Sequence, residues 1–368
     1  MEKLIKKIKD FSELVMFQHS VFALPFIFIA MVVSSSQING TPWFGFKLLV
    51  LGTLCAVFAR NFAMGFNRFM DRDIDALNPR TKNRPNVDGR VSAKAMFIFF
   101  VANAFAFILV AYFVNDLALI LSLPILVIIG SYSYFKRFSY LAHIILGISL
   151  ALAPIAGVVA VSETIPLWVI FLSIGVMFWV AGFDLLYSLQ DIDVDKKLGL
   201  HSIPSKFGAK KTMLFSKVFH FLTIVFWLLF VIYASGSYFA YLAVIISALM
   251  LSYEHYLVNK DFRKIDRAFF TVNGYLGIVF FFLVVLDNIS QNHNDLALPG
   301  RHGDWDIYVW TGKKYDYLFK VTQAGVITIP SVKVSVNGQV YATAPQKITA
   351  AAKSINSQSA QRGRQRQQ

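Results

Sequence analysis

Apolar stretches of about 20 residues recur along the chain at approximately 16–36, 43–67, 94–114, 117–135, 140–161, 165–189, 213–233, 238–258 and 268–287. Each can carry a helix across the hydrocarbon core of a bilayer, so the pattern predicts an all-α polytopic membrane protein with about nine transmembrane helices. The breaks at 115–116 and 234–237 are short enough to predict tight helical hairpins. After about residue 290 the period changes. Over residues 305–343 the runs WDIYVW, YDYLFKVT, VITI and VKVSV alternate apolar and polar positions, and VNGQV offers an Asn-Gly turn. The expectation is a transmembrane domain over 1–290 and a C-terminal extension over 291–368 that is small and β-rich. It ends in a disordered basic tail, SQSAQRGRQRQQ.

The polar breaks fall into two classes. One set is basic: Lys3, Lys6, Lys7 and Lys9; Arg68 through Lys94; Lys136 and Arg137; Lys196 through Lys211; Lys260 through Arg267. The alternate set, SSSQINGTP, ND, SET and SGS, carries no Lys or Arg. Because Lys and Arg are retained on the cytoplasmic side, the N-terminus and the basic breaks are expected on the cytoplasmic face of the inner membrane, and an odd number of spans puts the C-terminus outside. Composition agrees. A chain of 368 residues with 56% hydrophobic content, 36 Phe and 15% charged residues has more apolar surface than a soluble fold can bury. The net charge of +14 lies between the apolar runs, which argues for a lipid bilayer partner and against nucleic acid. Cys55 is the only cysteine, which excludes an intrachain disulfide and a cysteine metal site. The basic start reads as the flank of an uncleaved first helix, since SSSQING offers no convincing cleavage site and further spans follow.

Two of the basic breaks hold carboxylates at the end of an apolar run, where unpaired charge is costly. NRFMDRDIDALNPRTKNRP over 67–85 has an echo in YSLQDIDVDKKLGLHSIP over 187–204. Asn67, Asp71 and Asp75 correspond to Tyr187, Asp191 and Asp195, an offset of four spans that implies two parallel four-helix repeats followed by a last helix. On a continuous helix Arg60, Asn67, Asp71 and Asp75 fall within an arc of roughly 80°, with Asp73 on the opposite side. Asp184, Tyr187, Asp191 and Asp195 likewise share a face that excludes Asp193, so Asp73 and Asp193 read as solvated bystanders. Carboxylates four residues apart repel. Oxygen-only ligands favour Mg²⁺, completed by substrate phosphate oxygens. The nearby cations Arg60, Arg68, Arg72, Lys82, Arg84, Lys136, Lys196 and Lys206 suit a phosphate-bearing ligand, and the whole reads as an Mg²⁺-diphosphate cradle. His19, His143, His220 and His255 are scattered without metal-ligand spacing and read as structural, and Pro25, Pro124 and Pro154 as helix kinks.

The two motifs, in this order and followed by DGRVS and LHSIP, resemble those of the UbiA superfamily of intramembrane prenyltransferases over about residues 10–290. HSVFALPF and GFDLLYSLQD resemble the quinone branch, both the menaquinone enzymes of the futalosine route and the 4-hydroxybenzoate polyprenyltransferases. Haem O synthase shares the first motif, including RTxxRP, but less of the second. The resemblance implies transfer of a polyprenyl chain from its diphosphate to a ring carbon of a small aromatic acid, 4-hydroxybenzoate or 1,4-dihydroxy-6-naphthoate. It implies one Mg²⁺ on Asp71 and Asp75 with Asn67 and another on Asp191 and Asp195. It also implies Arg60 on the diphosphate, and Tyr132 and Lys136 beside the reacting carbon and the leaving group. Asp184 has two readings, contact with the polar substituent of the acceptor or an ion pair with Arg60 or Lys136. A secondary transporter is the alternative function from another class, since nine spans, a repeat and membrane acids also suit one. The external extension could also be a binding or anchoring module.

Overall fold

The computed structural model describes residues 9–15, 22–261 and 265–294, together with six short strand segments between 301 and 350. His19 and Lys3, Lys6 and Lys7 lie outside the described residues, as does the basic tail. In chain order the helices are α1 (Leu24–Asn39), α2 (Phe46–Met70), α3 (Arg72–Leu77), α4 (Ala93–Val114), α5 (Asp116–Phe135), α6 (Ala142–Ser162), α7 (Leu167–Tyr187), α8 (Ile192–Leu198), α9 (Ile203–Tyr233), α10 (Tyr238–Lys260) and α11 (Asn273–Asn294). Eight helical stretches among the described residues are long and apolar enough to cross a bilayer, and α1 is a shorter ninth apolar helix. The all-helical membrane architecture expected from the hydropathy pattern is therefore present. The largest boundary difference is at α9, which begins at Ile203 rather than at 213. Ser202 and Ser205 cap it reciprocally, and its first turn uses the polar KFGAKK segment that carries no apolar signature. Gly208, at φ 75° and ψ 170°, breaks the helix before the apolar span starts.

The helix α7 is the packing axis. It lies between α6 and α9, and Trp168, Leu172, Val176, Trp179, Val180 and Phe183 along it are all buried. Two glycines seven residues apart allow its close approach to α9: a Cβ at Gly175 would collide with the Trp227 indole, and one at Gly182 with the His220 imidazole. Around this contact Phe26, Trp179, Trp227 and Phe280 form an aromatic core, with Phe26 stacked on Trp227 at 5.5 Å and Phe280 tilted against Trp227 at 4.6 Å. Elsewhere Phe46, Phe105, Val127, Phe221 and Leu249 are exposed on helices, as lipid-facing side chains are.

Side-chain contacts show which breaks share an end of the bundle. Asp71 meets Lys136 and Arg80 meets Asp191, so the breaks after α2, α5 and α7 lie together. At the opposite end Gln37 reaches Trp168 and the Ala234 carbonyl, and Asn115 reaches the Val159 carbonyl. The tight hairpin before α10 is held there by Asp287 on α11. Its buried carboxylate accepts the backbone N–H groups of Ser237, Phe239 and Ala240 and the Ser237 hydroxyl at 2.7–3.1 Å, so the cap of α10 comes from a different helix.

By compactness the chain divides into Met1–Gly312 and Lys313–Gln368. In the second unit Gly325–Ile329 pairs antiparallel with Gln346–Ala350, and Lys333–Val336 with Gln339–Ala342. Val336 faces Gln339 across the Asn-Gly pair, the register of a two-residue hairpin. The YDYLFKVT run lies outside the described residues. Asp287→Ala is expected to lower stability by about 1–3 kcal/mol by leaving three backbone donors, the buried Ala240 N–H among them, without their acceptor. Thermal unfolding in detergent micelles measures this, and a melting temperature equal to wild type would contradict the capping role.

Candidate active site

Neither acidic motif lies on a continuous helix. The helix α2 ends at Met70, Asp71 takes φ −95° and ψ 12°, and α3 begins at Arg72. In the second motif α7 ends at Tyr187, a 3₁₀ turn spans Ser188–Asp191, Asp191 takes φ −104° and ψ 4°, and α8 follows. The first carboxylate of each motif thus sits in the same sparsely populated backbone region at the same break, the clearest structural trace of the duplication. The single-helix arc is corrected accordingly. Asp75 stays near Asp71 because its N–H still donates to the Asp71 carbonyl at 2.8 Å.

Each carboxylate has its own partners. Asp71, buried, accepts from Asn67 Nδ2 at 2.8 Å and pairs with Lys136 Nζ at 2.5 Å through Oδ2, while its buried Oδ1 makes no hydrogen bond. Asp75 pairs with Arg84 at 2.8 Å and accepts from Asn86 at 3.0 Å, with Arg68 at 3.9 Å. Asp191 is gripped by the Arg80 fork at 3.1 and 2.5 Å and by Asn78 at 3.0 Å. Arg80 also donates to Tyr187 Oη at 2.9 Å, joining the two motifs. Asp195 has no ion pair among the described residues. Burial holds Asp71 above its ordinary value against the pull of Lys136. Burial also pushes Asp75 up, but Arg84, Arg68 and Asn86 outweigh it and leave it below its ordinary value.

Several expected site residues are placed differently. Asn67 gives its amide nitrogen to Asp71 and to Ser133 and turns Oδ1 toward Arg68, so in this structure it holds Asp71 in place. Arg72 bonds the Phe69 carbonyl and lies over the Phe69 ring, and Lys206 lies over Tyr140 at 4.2 Å. Lys82 and Lys196 are exposed without an ion pair among the described residues. Asp73 is exposed, but it is no bystander: Arg137 forks onto it at 2.9 and 2.8 Å, draws it down to about 2 and bridges it to Asp71, whose Oδ1 lies 3.7 Å from the same Nη2. Asp193 is exposed. Asp184 pairs with neither Arg60 nor Lys136; its Oδ2 lies 2.6 Å from His143 Nδ1. Arg80, Asn78, Asn86, Arg137 and His143 were missed. Asn78 and Arg80 stand in the NPRT segment beside the motif, but nothing local says that they reach across to Asp191.

Below the carboxylates lies an apolar cavity of about 200 Å³, with Arg60, Met64 and Tyr132 among its lining. Its walls come from α1, α2, α4, α5 and α6. The wall residues run from Gly52 to Met64 on α2 and from Leu146 to Ala160 on α6, about 18 and 21 Å of helix. Carboxylates and cations thus lie above a long apolar pocket, the arrangement of a membrane enzyme whose ligand has an anionic head and a hydrocarbon tail. Among the described residues no three His, Cys, Asp or Glu side chains gather into one metal-binding group. The donor set still fits Mg²⁺, because it is all oxygen and the buried Asp71 Oδ1 makes no hydrogen bond, with the Arg137 guanidinium 3.7 Å away.

The chain belongs to the UbiA prenyltransferase family, whose model matches residues 23–285. Among its relatives, the 4-hydroxybenzoate octaprenyltransferase of Edwardsiella ictaluri is 29% identical over 66% of this chain and 84% of that protein. The enzyme of the same name from Herminiimonas arsenicoxydans is 28% identical over 69% and 88%. The apo structure of a UbiA homolog from Aeropyrum pernix K1 is 30% identical, with a TM-score of 0.66 over 73% of this chain and 98% of that one. A UbiA homolog from Archaeoglobus fulgidus, solved with GPP and Mg²⁺, shares the fold at 19% identity, with a TM-score of 0.59 over 75% and 99%. The chain is therefore a prenyltransferase-family enzyme, and the transporter reading loses its support.

Arg84→Ala is expected to make the fold more acid-labile. A depressed carboxyl contributes stability above its unfolded value near 4, and that contribution is lost as pH falls through the lower folded value. Without Arg84 the folded value of Asp75 rises, so the loss starts at higher pH. Tryptophan fluorescence during acid titration in micelles should show an upward shift of the midpoint, and an unchanged midpoint would refute the pairing.

Proposed function

We propose that the protein transfers a polyprenyl group from polyprenyl diphosphate to a ring carbon of a small aromatic acid, of the 4-hydroxybenzoate or dihydroxynaphthoate type, in quinone biosynthesis. The observation that carries this reading is the pair of matching aspartate breaks, ringed by cations and set above an apolar cavity. The names of the relatives favour 4-hydroxybenzoate. The tail of the donor prefers hydrocarbon and its diphosphate prefers cations, so a site at the membrane boundary lets each part keep its own solvent.

In this reading Asp71 and Asp75 hold one Mg²⁺ and Asp191 and Asp195 another. Mg²⁺ would neutralise charge on the departing diphosphate. Lys136, Arg80 and Arg84, which neutralise the carboxylates in the structure, are then the cations that turn to phosphate oxygens. Arg80 takes the role first assigned to Lys82, Lys196 and Lys206. Arg60 and Tyr132, which share the cavity wall, are assigned to the junction of head and tail, where the allylic C1–O bond breaks. The Tyr132 ring face can shield the developing cation. Lys and Arg retention puts the site on the cytoplasmic side of the inner membrane and the C-terminus outside.

Membranes carrying the protein, incubated with Mg²⁺, geranyl diphosphate and each aromatic acid in turn, should yield a prenylated acid by mass spectrometry, and chelation should abolish it. Asp71→Ala and Asp191→Ala should each lower turnover on the order of 10²–10³-fold, whereas Asp73→Ala should stay within about threefold. Absence of product with every aromatic acid, in membranes shown to contain folded protein, would overturn the proposal.

A further inference from the structure

His143 stands at the start of α6, at the end of the bundle that holds the carboxylates. Steps of three and four residues carry its helix face through Leu146, Leu150, Ala153 and Gly157, all of which line the cavity. His143 therefore heads the stripe that forms the α6 wall, one turn nearer the carboxylates. Its side chain is 6% exposed and its Nδ1 lies 2.6 Å from Asp184 Oδ2. The other ring nitrogen, Nε2, is buried and has no hydrogen-bond partner among the described residues.

The pair sets its own tautomer. A carboxylate only accepts, so in the neutral imidazole Nδ1 carries the proton and Nε2 presents its lone pair. Leaving a buried acceptor unmatched costs free energy that a donor on a bound molecule recovers. This is a base with an orienting carboxylate, the arrangement that makes histidine a proton acceptor in unrelated enzymes. No other side chain at the site has this form: Lys136 is paired with Asp71, and Arg80 and Arg84 are permanent cations.

We propose that His143 is the general base that takes the hydroxyl proton of the aromatic acceptor, with Asp184 as its positioning residue. The inference rests on the prenyl-transfer reading and adds the group that activates the ring. A phenol of ordinary acidity ionises near pH 10 and is protonated at neutral pH, so its ring is a weak nucleophile without a base. In the step proposed, the C1–O bond of the prenyl diphosphate breaks and its electron pair leaves with the diphosphate. A ring π pair from the carbon ortho to the hydroxyl forms the bond to C1. The hydroxyl proton passes to His143 Nε2, and the O–H pair becomes the second bond of a carbonyl, leaving a neutral dienone. The proton on the substituted ring carbon then goes to the diphosphate, its bonding pair restores the aromatic ring, and His143 returns its proton to the ring oxygen.

The test pairs the residue with the hydroxyl it would serve. With geranyl diphosphate and 4-hydroxybenzoate, His143→Gln should lower kcat about 10²-fold with the donor KM unchanged within about threefold. Asp184→Asn should give a smaller loss on kcat. Replacing the acceptor by 4-methoxybenzoate should slow the wild type strongly and His143→Gln little further, because both changes remove the same proton transfer. A series of ring-fluorinated 4-hydroxybenzoates, whose hydroxyls are progressively more acidic, should narrow the ratio of wild-type to variant kcat, and this arm stands even if neither enzyme turns over the methoxy acid. An unchanged kcat in His143→Gln, or a ratio that stays constant across the fluorinated series, would overturn the assignment and leave only a structural role. Either result would leave the prenyl-transfer reading standing, since the wild type would still make product. Failure of the wild type with every aromatic acid would remove both.

Discussion

Burying carboxylates at the mouth of an apolar cavity is the constraint on which the rest of the structure depends. Asp71 and Asp75 are nearly inaccessible, and an uncompensated carboxylate there would be strongly destabilising. The chain meets this by ending α2 before Asp71, passing from α7 through a 3₁₀ turn to Asp191, and starting a short helix after each of these aspartates. The break at Asp71 lets the loop that follows α3 bring its side chains back over the acids. Arg84 and Asn86 return to Asp75, while Asn78 and Arg80 cross to Asp191. The loop after α2 thus serves both acidic motifs.

The two repeats have matching local geometry and different global uses. The cavity is walled by α1, α2, α4, α5 and α6, and no residue of α7, α9, α10 or α11 lines it. The main apolar core is built from α1, α6, α7, α9, α10 and α11. One half therefore keeps open space for a hydrocarbon tail, and the other packs solid around Trp179 and Trp227. The close packing of α7 on α9, which depends on Gly175 and Gly182, gives the second acidic motif a rigid base. In the proposed reaction each half supplies an acidic pair, and only the first half need adapt to a tail.

Much of this was legible along the chain. Nine apolar runs of helical length give, among the described residues, eight helical stretches long enough to span and a shorter ninth, because in a bilayer the backbone must satisfy its own hydrogen bonds and length alone nearly settles the element. The motif pair located the site, because acids are costly there and their four-residue spacing repeats. The exposure of Asp73 between buried Asp71 and Asp75 agrees with the angular arithmetic. The same arithmetic was wrong about continuity, since it treats a helix as unbroken and the sequence around Asp71 holds neither Pro nor Gly to mark the break. The partner of His143 was illegible for a related reason: His143 and Asp184 are 41 residues apart and meet only through the packing of α6 on α7.

Spans, the asymmetry of basic breaks, the duplicated acids and the change of period near residue 290 are local or periodic features, and physical chemistry acts on them before the chain folds. Which cation serves which carboxylate is of another kind. Arg80 and Asp191 are 111 residues apart, Asn67 and Ser133 are 66 apart, and no periodicity relates them. Long cationic side chains have several acids within reach of a flexible loop, so the choice rests with the packing of helices that fixes where each loop begins. The packing thereby sets Arg80 on Asp191, leaves Asp71 Oδ1 without a hydrogen bond and gives His143 its carboxylate.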